Sequence, residues 1–192
     1  VITRVLLIRH AQTEWNLHRR FQGHGDSPIT PEGYEQLRCL RARLAQESFD
    51  AVFASDLPRT LRTAEFLPLP PTAIQPEPRL RERGVGILEG LNLREILEHH
   101  PRDYLAFKHG GKDHAPPEGE SLQQAFERAW GFLSELLEQR AGQYIAVVSH
   151  AGLIRLLTKH VLKIPFDGPS PFHIHNTSLT ELSHSAEEQR WT

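Results

Sequence analysis

Three short runs of the chain are apolar without alternation: Val1 to Ile8, interrupted only by Arg4, Asp50-Ala51-Val52-Phe53-Ala54-Ser55, and Tyr144-Ile145-Ala146-Val147-Val148. Runs of this length read as strands buried on both faces, as in a parallel sheet. Between them the apolar spacing turns helical. Thr30-Pro31-Glu32 is a helix start, with Leu37, Leu40 and Leu44 following to about Gln46. Ser55-Asp56 reads as the cap of a further helix with Leu61, Ala64 and Leu67 facing inward. Ser121 to Arg140 carries the widest apolar stripe, and another helix runs from Gly152 to about Leu162. Residues 92–109 read as two helical pieces broken at Pro101, and Ser178 to Leu182 as a last strand. Residues 14–29, the five-proline stretch Pro68 to Pro78, glycine-punctuated Leu80 to Gly90 and Gly110 to Gly119 read as loops. Strands alternating with helices predict an α/β layered fold with a mostly parallel sheet.

With 192 residues, one domain is expected, large enough to bury a core without disulfides. The single cysteine, Cys39, excludes an internal disulfide framework. A net charge of −2 gives no reason to expect a nucleic-acid or membrane-surface partner. The opening apolar run, Val5 to Ile8, is too short to span a bilayer or form a signal core. The expectation is a soluble, cytoplasmic protein. Against this plain background, 12 histidines stand beside 4 lysines, and arginine supplies 18 of 22 basic residues.

Ligands of open α/β sheets sit outside the carboxyl ends of the strands. The first apolar run ends in Arg9-His10, the third in Ser149-His150, and the second leads to Ser55-Asp56 and then Arg59. Two guanidiniums and two imidazoles converging on one crevice describe an anion site, and the arginine fork suits phosphate. The helix after His150 is expected to add its amino-terminal dipole. His173-x-His175 would share one face of an extended stretch without a third ligand, so it is read as structural or as site rim. His99, His100, His109, His114, His160 and His184 are read as surface residues.

Leu7-Ile8-Arg9-His10-Ala11-Gln12-Thr13-Glu14-Trp15-Asn16 resembles the signature of the histidine phosphatase superfamily, the phosphoglycerate-mutase-like proteins. The resemblance continues through Gln22 to Gly33, Ser55 to Thr60, Leu80 to Gly84, Glu89 to Leu91, Pro117 to Ser121 and Ser149 to Gly152, in the family's order. Ala11 and Ala151 stand where glycine is usual, and Gln12 where glutamate is usual. The resemblance implies a three-layer α/β/α sandwich with a mostly parallel central sheet, formed as a single domain over 1–192 with a small helical cap insertion at about 84–119.

It also implies the roles. His10 would be the nucleophile, forming a phosphohistidine, with its other ring nitrogen donating to a backbone carbonyl. Arg9, Arg59 and His150 would hold the phosphoryl oxygens, and Asn16 would add a neutral donor. Gln22, Gly23, His24 and Ala151 would line the phosphate and substrate site. Glu82 would be the general acid and base, a role that calls for a raised pKa, in competition with Glu89. Arg83 is read evenly as a site residue or a solvated charge. No metal or other cofactor is implied. Tyr104, Phe107, Lys108 and His109 are the cap residues placed to meet the leaving group.

The mutases of this family carry an arginine pair followed by Ser-Tyr-Asp after the acid. Here that region reads Ala106-Phe107-Lys108-His109-Gly110-Gly111-Lys112-Asp113. The expected activity is therefore a metal-independent phosphomonoesterase acting on a small phosphorylated metabolite. A phosphoglycerate mutase dependent on 2,3-bisphosphoglycerate and a non-catalytic phosphate-binding module are the alternatives. A homodimer is compatible with the sequence but not required by it.

Overall fold

A computed structural model describes residues 1–69 and 73–192. Six strands form one sheet: β1 (Ile2–Arg9), β2 (Ala51–Ala54), β3 (Ile74–Pro76), β4 (Tyr144–Ser149), β5 (Leu179–Ser185) and β6 (Arg190–Trp191). Their spatial order is β3-β2-β4-β1-β5-β6. The first four are parallel, while β5 runs antiparallel to β1 and β6 antiparallel to β5.

Alternate residues of the central strands feed two separate cores. Val5, Leu7, Phe53, Ile145 and Val147 pack beneath α6 (Leu122–Gln139) and α7 (Ala151–Val161). Leu6, Ile8, Val52, Ala54, Ala146 and Val148 pack beneath α2 (Pro31–Arg43) and α3 (Pro58–Ala64). Because both faces are covered, every strand position gains from being apolar, which explains the unbroken runs. The expected α/β/α sandwich is what the sheet and its helices form.

Local hydrogen bonding overrides the sequence pattern in several places. Residues 14–29 are not wholly loop: Thr13 and Asn16 form a reciprocal capping box that starts α1 (Glu14–Leu17). Ser55 and Asp56 do not cap α3. Leu57 is the cap residue, with Pro58 at the first helical position, and Asp56 pairs with Arg81 instead. The proline-rich stretch contains β3 at the sheet edge, where a proline costs no ladder bond; its residues 70–72 lie outside those described. Two residues, Arg190 and Trp191, add an unforeseen edge strand.

Residues 84–119 carry α4 (Leu93–His99) and α5 (Pro101–His109), broken at Pro101 as expected. Val85, Leu88 and Ile96 form a small apolar cluster there with Phe21, Tyr104 and Phe107. The ends of this segment are tied together: Glu120 N–H donates to the Gly84 carbonyl (2.8 Å) and Ile87 N–H to the Pro117 carbonyl (3.1 Å). Gly86, at φ +53°, passes so close to Pro117 that a Cβ would lie 1.9 Å from its carbonyl oxygen. Among the described residues, no helix is long and apolar enough to cross a membrane.

Candidate active site

Strands β1 and β4 are neighbours, with Arg9 opposite Ser149. The chain from β1 leaves toward β2, and the chain from β4 leaves toward β5 on the opposite side. The crevice at their carboxyl ends is therefore a switch point of the sheet. His10 and His150 emerge there side by side, their ring centroids 5.3 Å apart.

His10 is almost completely buried, and its Nδ1 lies 2.7 Å from the Ala11 carbonyl oxygen. A carbonyl can only accept, so Nδ1 carries the proton and Nε2 the lone pair. Burial, reinforced by the Arg59 and Arg9 charges, holds the His10 pKa well below the ordinary histidine value, against the opposing Ala11 hydrogen bond. His150 is lowered likewise, by burial and then by Arg59 and His10. His150 Nε2 meets Ser55 Oγ at 2.9 Å, while its buried Nδ1 has no protein partner.

Arg9, His10, Asn16, Gln22, Gly23, Arg59, Glu82 and Ala151 border one cavity of about 490 Å³. Arg9 Nη1 donates to the Ile174 carbonyl (2.7 Å), and its buried Nε is unpartnered. Arg59 is 1% exposed. It donates to the Gly25 (2.6 Å) and Gly23 (2.8 Å) carbonyls and to Asp26 (3.2 Å), again with Nε unpartnered. Burial lowers the pKa of both guanidiniums, partly offset by the Glu82 charge. Asn16 Oδ1 accepts from Thr13 N–H and Asn176 Nδ2, so its own Nδ2 is the group left for a ligand. Gln22 Oε1 is buried without a partner.

Glu82 stands across the cavity. Its carboxylate accepts from the N–H groups of Gly152 (2.9 Å), Leu153 (3.1 Å) and Arg83 (2.9 Å). The first N–H groups of α7 are thus engaged by Glu82, which corrects the expectation that they face the bound anion directly. Glu89, the alternative acid, is not among the residues that border the cavity. Its carboxylate accepts from the N–H groups of His24 (2.9 Å), Gly25 (3.0 Å) and Val85 (3.2 Å), fixing the loop whose carbonyls hold Arg59.

His24 is not on the cavity wall. Its Nε2 donates to the Glu82 carbonyl (2.9 Å) and lies 3.7 Å from Glu120, whose carboxylate raises the His24 pKa. Glu120 also accepts from both Nε and Nη2 of Arg128 (2.8 Å each) and from Gly84 N–H (2.8 Å). These contacts outweigh its burial and hold its pKa well below the carboxylate range. Among the described residues, no group of three or more His, Cys, Asp or Glu side chains is placed to hold a metal ion.

A model of the histidine phosphatase superfamily (branch 1) matches residues 5–192. The chain belongs to that superfamily. It is 32% identical over 188 residues to the probable phosphoglycerate mutase GpmB of Escherichia fergusonii, covering 97% of this chain and 86% of that protein. It is similar in structure to the alpha-ribazole phosphatase of Shigella flexneri, with TM-score 0.87, 28% identity and coverage of 98% of this chain and 93% of the other. A mycobacterial glucosyl-3-phosphoglycerate phosphatase in complex with VO3 gives TM-score 0.84, 29% identity and coverage of 98% and 96%.

The superfamily signature leaves several neighbours of the cavity unassigned. Arg83 is no solvated charge: it is buried, donates to the Glu120 (2.7 Å) and His114 (3.0 Å) carbonyls, and stacks 4.5 Å from the Phe107 ring centroid. Phe107 borders the cavity, whereas Tyr104 packs in the small apolar cluster and His109, exposed at the end of α5, is not among the cavity-lining residues. His160 is exposed but packs against Trp130 and Phe126, and His114 is half-buried. Sequence reasoning missed Trp15, Arg19, Arg20 and Arg155, which also border the cavity. Arg155 could have been found from spacing, because it lies one helical turn beyond Ala151 on the same face of α7.

Proposed function

We propose that this member of the histidine phosphatase superfamily is a metal-independent phosphomonoesterase that works through a phosphohistidine on His10. One observation carries the reading: a buried, neutral imidazole presents Nε2 to a cavity bordered by Arg9, Arg59 and the Glu82 carboxyl group. In the first step His10 Nε2 bonds to phosphorus as the ester oxygen departs, and Glu82 supplies the proton that oxygen needs. In the second, water attacks the phosphohistidine and gives its proton to Glu82, and free phosphate leaves with His10 restored. Arg9, Arg59, Asn16 Nδ2 and His150 Nδ1 stabilise the charge spread over the phosphoryl oxygens. Covalent division of the displacement is needed only for transfer, so the pairing of His10 with Glu82 argues for catalysis rather than binding alone.

Hydrolysis is favoured over mutase chemistry by the cap, where Ala106 to Asp113 offers no arginine pair to hold a substrate carboxylate. A cytoplasmic location fits the lone, exposed Cys39. The test is steady phosphate release from p-nitrophenyl phosphate in EDTA. His10→Ala should lower that rate at least about a thousandfold and abolish acid-labile phosphate labelling of the protein. The mutase reading, which the name of the Escherichia fergusonii relative favours, is established instead by bisphosphate-dependent interconversion of 3- and 2-phosphoglycerate without net phosphate release. Vanadate binding with no turnover of any phosphomonoester points to the binding module.

A further inference from the structure

Beside the main cavity lies a second chamber of about 340 Å³ that shares Arg83, Phe107, Leu122, Gly152 and Arg155 with it. Its wall is unusually basic for so small a space. Lys108, exposed, and Lys159, only 2% exposed, are both on this wall. The Lys159 ammonium donates to the Pro165 (3.1 Å), Phe166 (3.1 Å) and Gly168 carbonyls, which position the charge, and the nearby Asp167 carboxylate favours it. Asp167 is the one acid on the wall; it is exposed and makes no ion pair among the described residues.

Arg155 is the junction of the two spaces. It projects from α7, and its charge depresses the pKa values of Arg9 on one side and Lys159 on the other. Its Nε is buried without a partner, and no described carboxylate pairs with its guanidinium. A buried polar group without a partner is costly unless a ligand satisfies it. Arg9 and Arg59, by contrast, have terminal nitrogens engaged by carbonyls. Phe107 and Leu122 line both cavities and set apolar surface beside this free guanidinium.

We propose that the side chamber is an anion subsite, with Arg155 as its principal ligand and Lys108 as its outer one. The preferred substrates are then phosphomonoesters whose leaving group bears a second anionic group, a carboxylate or a further phosphate, joined to the ester oxygen by a short apolar link. This deepens the phosphatase reading and rests on it. A site built to pair with an anion discriminates strongly against a substrate that lacks one, because the guanidinium is then left unpaired.

The test compares kcat/KM for phenyl phosphate with the ortho-, meta- and para-carboxyphenyl phosphates, and with a phosphonophenyl phosphate to separate carboxylate from phosphate preference. At least one anionic member should exceed phenyl phosphate by about 10- to 100-fold. That ratio should collapse toward one in Arg155→Met, be largely restored in Arg155→Lys, and fall partway in Lys108→Gln. Wild-type hydrolysis of phenyl phosphate with no preference for any anionic analogue overturns the subsite while leaving the phosphatase reading intact. An equal fall for neutral and anionic substrates in Arg155→Met also overturns it, because Arg155 would then serve the reacting phosphate. Failure of the wild type on every ester removes the hydrolytic reading itself, and the subsite with it.

Discussion

His10 borders the cavity and His150 lies buried beside it, and each tautomer has a local cause. The Ala11 carbonyl keeps the proton on His10 Nδ1. At His150 the partner is the fully buried Ser55 hydroxyl, whose oxygen also accepts from Leu57 N–H at 3.4 Å. The hydroxyl meets no other acceptor among the described residues, so donation to His150 Nε2 is what satisfies its proton; this puts the ring proton on Nδ1, as the donor role proposed for it toward a phosphoryl oxygen needs. Ser55→Ala should therefore lower kcat about 10- to 100-fold with little change in KM, and Ser55→Thr should recover part of it. An unchanged kcat in a folded Ser55→Ala protein would remove Ser55 from this role. The depressed pKa of His10 makes a second prediction. If His10 Nε2 attacks as proposed, it stays unprotonated well below pH 6.5, so kcat/KM for p-nitrophenyl phosphate, corrected for substrate ionisation, should show no acid limb near pH 6.5. The sequence exposed Arg9, His10, Arg59 and His150 because each follows closely on a buried apolar run. Arg155 carried a weaker signal, legible only from its spacing one turn beyond Ala151 on a helix that otherwise reads as amphipathic.

Helix α6 is the clearest element in the sequence, and its buried face of Ala125, Phe126, Ala129, Phe132, Leu133 and Leu136 matches the expected stripe. Its polar side does more than face solvent. Arg128 donates to the carbonyls of Arg79 (2.7 Å), Arg81 (2.7 Å) and Glu82 (2.8 Å) while pairing with Glu120. The segment bearing Glu82 is thereby held between α6 and the amino terminus of α7. Arg128→Met removes the cation paired with Glu120 and the donor to the Arg79, Arg81 and Glu82 carbonyls, and should cost about 2–4 kcal/mol in urea unfolding. It should also slow phenyl phosphate more than p-nitrophenyl phosphate, since a poorer leaving group depends more on proton donation from Glu82. Equal slowing would assign Arg128 to stability alone. The elements hidden from the sequence, α1, β3 and β6, are all short. A capping box or a sheet edge creates them, and hydrophobic period carries no signal over two to four residues.

Across the whole molecule, the sheet that brings His10 and His150 together also buries them without charge, and this couples catalysis to stability. Both have folded pKa values below that of the unfolded chain, so below about pH 6.5 the unfolded chain binds protons that the folded one does not. Stability should fall as the pH drops through this window, by up to about 1.4 kcal/mol per pH unit for each imidazole. His24 acts in the opposite sense. Its raised pKa, due to Glu120, contributes stability that is fully present below about pH 6.5 and lost as pH rises through the folded value. Urea unfolding at pH 7.5 and pH 5.5 should therefore show a wild type weakened at the lower pH. His10→Gln should reduce the loss, and His24→Gln should enlarge it. Loss that is unchanged in His10→Gln would place the acid sensitivity outside the strand-end pair.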